Sequence, residues 1–65
     1  MNKWWGYLHV EGTLHVKRYF GQIDIDEAYG SPFVRLVAGP WDCKDREEAL
    51  KKLKKAIFYR KKVHN

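Results

Sequence analysis

Trp4-Trp5-Gly6-Tyr7-Leu8-His9-Val10, then Glu11-Gly12, then Thr13-Leu14-His15-Val16-Lys17-Arg18-Tyr19-Phe20: how these two runs pair decides the fold. Both alternate in polarity, as strands of a hairpin do. A two-residue turn at Glu11-Gly12 needs positive φ at both positions, and Glu suits that poorly. A three-residue loop, Val10-Glu11-Gly12, asks only Gly12 to adopt that conformation, as in a G1 bulge. That loop sets Leu8 opposite Leu14 and Gly6 opposite Val16. One face then holds Trp4, Leu8, Leu14, Val16 and Phe20. The other holds Trp5, Tyr7, His9, His15, Lys17 and Tyr19. The shorter loop pairs every aliphatic residue with a polar one and exposes half the core.

Downstream, residues 24–30 read as a short helical turn. Asp24 caps it, Asp26 and Glu27 suit its first turn, and Gly30 suits its C′ position. Ser31-Pro32 forces an extended backbone. Phe33-Val34-Arg35-Leu36-Val37-Ala38 reads as a third strand that Gly39-Pro40 ends, with Trp41-Asp42-Cys43-Lys44 as a connecting loop. Residues 46 to about 60 form a helix. Asp45 is its N-cap, Glu48 completes a capping box, and Glu47–Lys51 and Glu48–Lys52 are i,i+4 pairs. Ala49, Leu50, Leu53, Ala56 and Ile57 make its apolar stripe. The expected fold is α+β: a small three-stranded antiparallel sheet, a short helical turn, and one long C-terminal helix packed on one face. The expected core is Leu8, Leu14, Val16, Phe33, Leu36, Leu50, Leu53 and Ile57.

With 65 residues, the chain is expected to be a single domain, 1–65. Such a chain buries roughly 60% of its unfolded surface, the marginal end for independent folding. So thin a core leaves little room for a buried cofactor or deep cleft, which argues against an enzyme. Its one cysteine, Cys43, makes an internal disulfide impossible and points to a reducing, cytoplasmic setting. No apolar run approaches the roughly 20 residues of a membrane span, so no membrane partner is expected. The net charge of +5 is uneven: residues 1–32 sum to −1 and residues 33–65 to +6. Between Lys51 and Lys62 lie seven cations and no anion. That asymmetry suggests a polyanionic partner, though a solvated, solubilising helix face accounts for the lysines equally well.

Two features carry the functional expectation. If the helix covers the Leu8/Leu14/Val16 face, the opposite sheet face is bare. Trp5, Tyr7 and Tyr19 could then stack bases there, with His15 and Lys17 beside them. The same aromatics could equally be folding mass packed under residues 21–31, or a dimer interface. The second feature is the helix face opposite the stripe, with Lys51, Lys52, Lys54, Lys55, Lys61 and Lys62, among which Phe58 and Tyr59 also fall. His9 and His15 sit close across the hairpin, but zinc needs three or four ligands at suitable spacing. Asp24, Asp26 and Glu27 are better explained as residues that start a helix than as a metal-holding cluster. No nucleophile–base–orienter set is visible. The expectation is therefore a non-enzymatic binding module without metal or cofactor, monomeric or homodimeric, whose partner is nucleic acid (DNA or RNA). The alternative is a protein-binding inhibitor or adaptor that acts on a host protein through the aromatic face. If helix and sheet pack as expected, the basic and aromatic faces point apart and form no joint site.

The runs Trp5-Gly6-Tyr7-Leu8-His9-Val10-Glu11-Gly12-Thr13, Val16-Lys17-Arg18-Tyr19-Phe20, Ser31-Pro32-Phe33-Val34, Gly39-Pro40-Trp41 and Asp45-Arg46-Glu47-Glu48-Ala49-Leu50 together resemble small bacteriophage-encoded proteins. The resemblance spans most of the chain. It implies a phage accessory protein, either a nucleic-acid binder or an inhibitor of a host machine, and carries no activity onto particular residues.

Overall fold

The hairpin forms in the register that apolar pairing requires. In the computed structural model, which describes the backbone of residues 2–63 and the side chains of residues 2–59, β1 (Asn2–His9) pairs antiparallel with β2 (Leu14–Arg18). Gly6 lies opposite Val16 and Leu8 opposite Leu14. His9 N–H donates to the Thr13 carbonyl at 2.9 Å and Gly12 N–H to the His9 carbonyl at 2.8 Å. Gly12 takes the positive φ (94°) that the three-residue loop demands.

After β2 come α1 (Gln22–Gly30), β3 (Val34–Cys43) and α2 (Arg46–Val63), with sheet order β2-β1-β3 and all pairs antiparallel. The α+β class and the long C-terminal helix are as the sequence reads. Asp45 caps α2 through its Oδ1, which accepts from Glu48 N–H at 3.0 Å. Glu48 Oε1 in turn accepts from Lys44 N–H at 3.3 Å, so the carboxylate serves the cap. Neither Glu47–Lys51 nor Glu48–Lys52 closes as an ion pair: among the described residues, no Lys or Arg nitrogen lies within 4.0 Å of a carboxylate oxygen.

Strand β3 departs from the sequence reading. Gly39-Pro40 does not end it, and Trp41, Asp42 and Cys43 pair with Trp4, Lys3 and Asn2 instead of forming a loop. Between Trp4 and Gly6, the single residue Trp5 faces both Gly39 and Pro40, so the glycine and proline form a bulge and pairing resumes beyond it. Pro40 is tolerated because β3 is an edge strand, where a missing N–H costs no ladder bond. Gly39 holds φ at 105°, and a Cβ there would lie 3.0 Å from Trp5 Cα. The Gly39–Pro40 peptide is cis.

Helix α1 begins earlier than expected. Gly21 is its N-cap with no side-chain cap bond, and Asp24 lies inside the first turn. Gln22 bonds on both sides: its amide donates to Asp26 Oδ1 at 3.3 Å and its Oε1 accepts from Tyr19 Oη, ahead of the helix, at 3.4 Å. Gly30 ends the helix from within, and Ser31 N–H bonds the Ala28 carbonyl at 3.2 Å.

The sheet divides the interior into two clusters. Under α2, Val16, Cys43, Ala49 and Leu53 are buried, with Trp4, Leu14, Leu36, Leu50 and Ile57 packed against them. Under α1, Trp5, Ile25, Ala28 and Val37 are buried, with Tyr7, Tyr19 and Val34 alongside. Leu8 is half-buried. One expected core residue, Phe33, and one residue expected on the inner hairpin face, Phe20, are exposed instead. Phe33 is 61% exposed, because its carbonyl is held by Val10 N–H (2.9 Å) just before β3 begins and its ring lies over His9. Phe20 is 81% exposed, because β2 ends at Arg18 and the chain leaves the pleat before reaching it.

Candidate functional site

The face opposite α2 is half covered. Ile25 and Ala28, three residues apart on α1, press onto Trp5 and Val37, so α1 lies over the β3 side of the sheet. Over β1 and β2 the face stays open as a groove of about 480 Å³. A row of rings runs along this face of the sheet. Trp5 and Tyr7 have centroids 5.6 Å apart, Tyr7 stacks on His15 at 4.9 Å, His15 meets His9 edge-on at 6.3 Å, and His9 lies parallel to Phe33 at 6.2 Å. Lys17 and Arg18 stand on the β2 wall; Asp24 and Glu27 stand on the α1 wall. The Arg18 guanidinium sits 5.8 Å from the Phe20 ring centroid.

The expected stacking surface is thereby corrected. Trp5 is 4% exposed, and α1 occupies the space a base would need. Its indole N–H is buried without a hydrogen-bond partner. Tyr19 is half-buried against the same cluster and tied to Gln22. Tyr7 and His15 are half-buried and stacked on one another, and His15 Nε2 hydrogen-bonds Thr13 Oγ1 at 3.0 Å. Lys17 alone of that set is exposed. The Glu11 backbone N–H donates to His9 Nδ1 at 3.1 Å, which places the imidazole proton on Nε2.

The basic face of α2 lies on the far side of the sheet. Ala49 and Leu53 are buried beneath the helix, and at about 100° per residue Lys51, Lys54 and Lys55 fall on the outward side. All three are exposed, as are Phe58 and Tyr59 at 62% and 63%. Lys52 leaves this group: it is half-buried, and its Nζ donates to the Asp42 carbonyl at 3.3 Å. Lys61 and Lys62 lie outside the described side chains. The aromatic and basic surfaces therefore do not join, as their placement on opposite sheet faces requires.

Among the groove residues that the expected site did not include are His9, Arg18, Phe20, Asp24, Glu27 and Phe33. Only His9 had a visible signal, its parity with Tyr7. The others depend on where β2 stops and where α1 lies, which alternation does not encode.

Cys43 sits at 0% exposure where β3 ends beneath α2. Burial pushes its thiol pKa up, Lys52 opposes this, and Glu48, Asp42 and Asp45 add to the rise. A thiol held protonated is a poor nucleophile. Among the described residues, no group of three His, Cys, Asp or Glu is placed to hold a metal ion. No helix among them is long and apolar enough to cross a membrane. No family model, no curated protein and no solved structure matches the chain.

Proposed function

We propose that this chain is a non-enzymatic binding domain that attaches to nucleic acid through the outward face of α2. One observation carries the reading. Lys51, Lys54 and Lys55 are exposed on one side of the helix, and no carboxylate pairs with them among the described residues. Glu48, three residues before Lys51, is committed to the cap, and Glu47, four residues before Lys51, does not close on it. An unneutralised row of cations releases counterions when it meets phosphates, whatever the base sequence. Exposed Tyr59 beside that row offers a ring to an unpaired base. A single, buried thiol suits a reducing compartment, and the cytoplasm is the setting we propose.

Binding to a random single strand and a random duplex, DNA and RNA, at two salt concentrations tests this. Four phosphate contacts give a log–log salt slope of about −3. Absence of binding to every one of these at low salt overturns the reading.

A protein-binding module acting on a host protein is the second reading. Phe20 and Phe33 favour it, since both stand exposed at the groove. Under this reading the lysine changes slow association only modestly, while loss of Phe20 or Phe33 abolishes binding.

A further inference from the structure

The two walls of the groove carry opposite charge. Lys17 and Arg18 line one side, Asp24 and Glu27 the other, and none of the four forms an ion pair among the described residues. Between them the floor is aromatic, and Phe20 and Phe33 stand at its rim. These two rings alone leave roughly 200–350 Å² of apolar surface in water, at about 150–250 Å² for a whole aromatic side chain. That patch already reaches the few hundred Å² at which exposed apolar surface marks an interface.

We infer that this groove is a self-association surface and that its occupant is a second copy of the chain. The reason is the charge symmetry of the walls. In a twofold dimer the same patch serves both partners, so each element meets a different element of the other copy. A twofold axis running along the groove brings the Lys17/Arg18 wall of each copy onto the Asp24/Glu27 wall of the other. An axis across the groove sets like charges together, so the charges also select the orientation. Phe20 and Phe33 of both copies then leave water in the same step. A nucleic-acid strand is a poorer occupant, because its phosphates meet the two carboxylates on the α1 wall. The basic face of α2 lies on the other side of the sheet and stays open in such a dimer, so this inference stands apart from the nucleic-acid reading.

Sedimentation equilibrium of the full chain at about 10–500 µM tests it, a range matched to a small interface. The native chain is expected to run between monomer and dimer mass. Lys17→Glu with Arg18→Glu sets acid against acid. Asp24→Asn with Glu27→Lys removes the acidic wall and adds a cation, while keeping the first turn of α1 free of positive charge. Each double variant alone is expected to associate about a hundredfold more weakly or worse, and an equimolar mixture of the two to recover the dimer. Phe33→Ser, at an exposed ring, should also give a monomer, with far-UV circular dichroism confirming the fold of every variant. A native chain that is monomeric throughout overturns the inference, even if the groove captures a different protein. So does a dimer that survives both charge variants and Phe33→Ser, or a mixture that fails to re-form it.

Discussion

Leu53 of α2 rests directly on Gly6 of β1: a Cβ at Gly6 would lie 3.0 Å from Leu53 Cδ2. It would also stand 2.8 Å from the His15 carbonyl oxygen and 3.0 Å from Val16 Cγ1. The Leu53 methyl could move, but the backbone oxygen sits in the hairpin ladder and could not. Gly6→Ala should therefore destabilise the fold by about 1–3 kcal/mol, the usual cost of overpacking. Leu53→Ala, which empties the same contact, should cost about 2–5 kcal/mol. Chemical denaturation of each variant reads both values, and an unchanged midpoint for either removes this contact from the account of stability.

Trp5 is a core residue whose loss should register as lost stability. Trp5→Ala removes the platform on which Ile25 and Ala28 sit and should cost about 3–5 kcal/mol. Trp5→Phe should cost far less, because it keeps a ring and deletes an indole N–H that has no partner. The folded Phe variant should bind nucleic acid as the native chain does, in the same titration.

On α2, charge reversal should separate binding residues from a structural one. Lys51→Glu, Lys54→Glu and Lys55→Glu together should make the salt slope shallower by about 2–3, at about 0.7–0.9 per phosphate contact. Stability should hardly move, since exposed side chains away from caps and cores usually shift it by less than about 0.5 kcal/mol. Lys52→Ala should do the reverse, because its ammonium holds the Asp42 carbonyl: lower stability and little change in slope. Tyr59→Ala should weaken single strands by about 1–3 kcal/mol per unstacked base and leave duplex binding alone.

The Cys43 thiol should resist modification in the folded chain, since it is buried and its ionised form is disfavoured. A folded-state pKa above the unfolded one means that the unfolded chain loses its thiol proton first as pH rises. The associated stability is full below the unfolded value and falls on the alkaline side, above roughly pH 8.5, as pH climbs through the folded pKa. Denaturation midpoints at pH 7 and pH 10 for the native chain and Cys43→Ala, compared pairwise, check this. The native chain should lose more on moving to the higher pH. Cys43→Ser should bind partners normally despite a weaker fold.

Much of the fold was legible because it rests on local rules. The poor fit of Glu11 to a two-residue turn set the hairpin register, and Asp45 with Glu48 located the start of α2. Where the reading failed, a longer-range fact decided. Gly39-Pro40 looks like a strand terminus, yet the pairing of Trp41 with Trp4 beyond it carries the strand on through a bulge. The bare aromatic face was half right: parity put Trp5, Tyr7 and Tyr19 together, but nothing in the alternation placed Ile25 and Ala28 over Trp5. Of the expected lysine row, Lys51, Lys54 and Lys55 stand exposed, while Lys52 turns to the Asp42 carbonyl. The opposed walls of the groove became visible only once α1 had a position.

Helix α1 is short, uncapped by any side chain and without a basic residue in its last turn. Two buried residues, Ile25 and Ala28, hold it to the sheet. A nine-residue helix has little stability of its own, whereas α2 is eighteen residues long, capped, and anchored by Leu53. The amides of α1 should therefore exchange with solvent through a sub-global opening that leaves the hairpin, β3 and α2 formed. In that opened state Trp5 loses its cover and the acidic wall moves away from the basic one. Whatever binds across the groove must hold α1 closed, so its affinity includes the free energy of closing that helix.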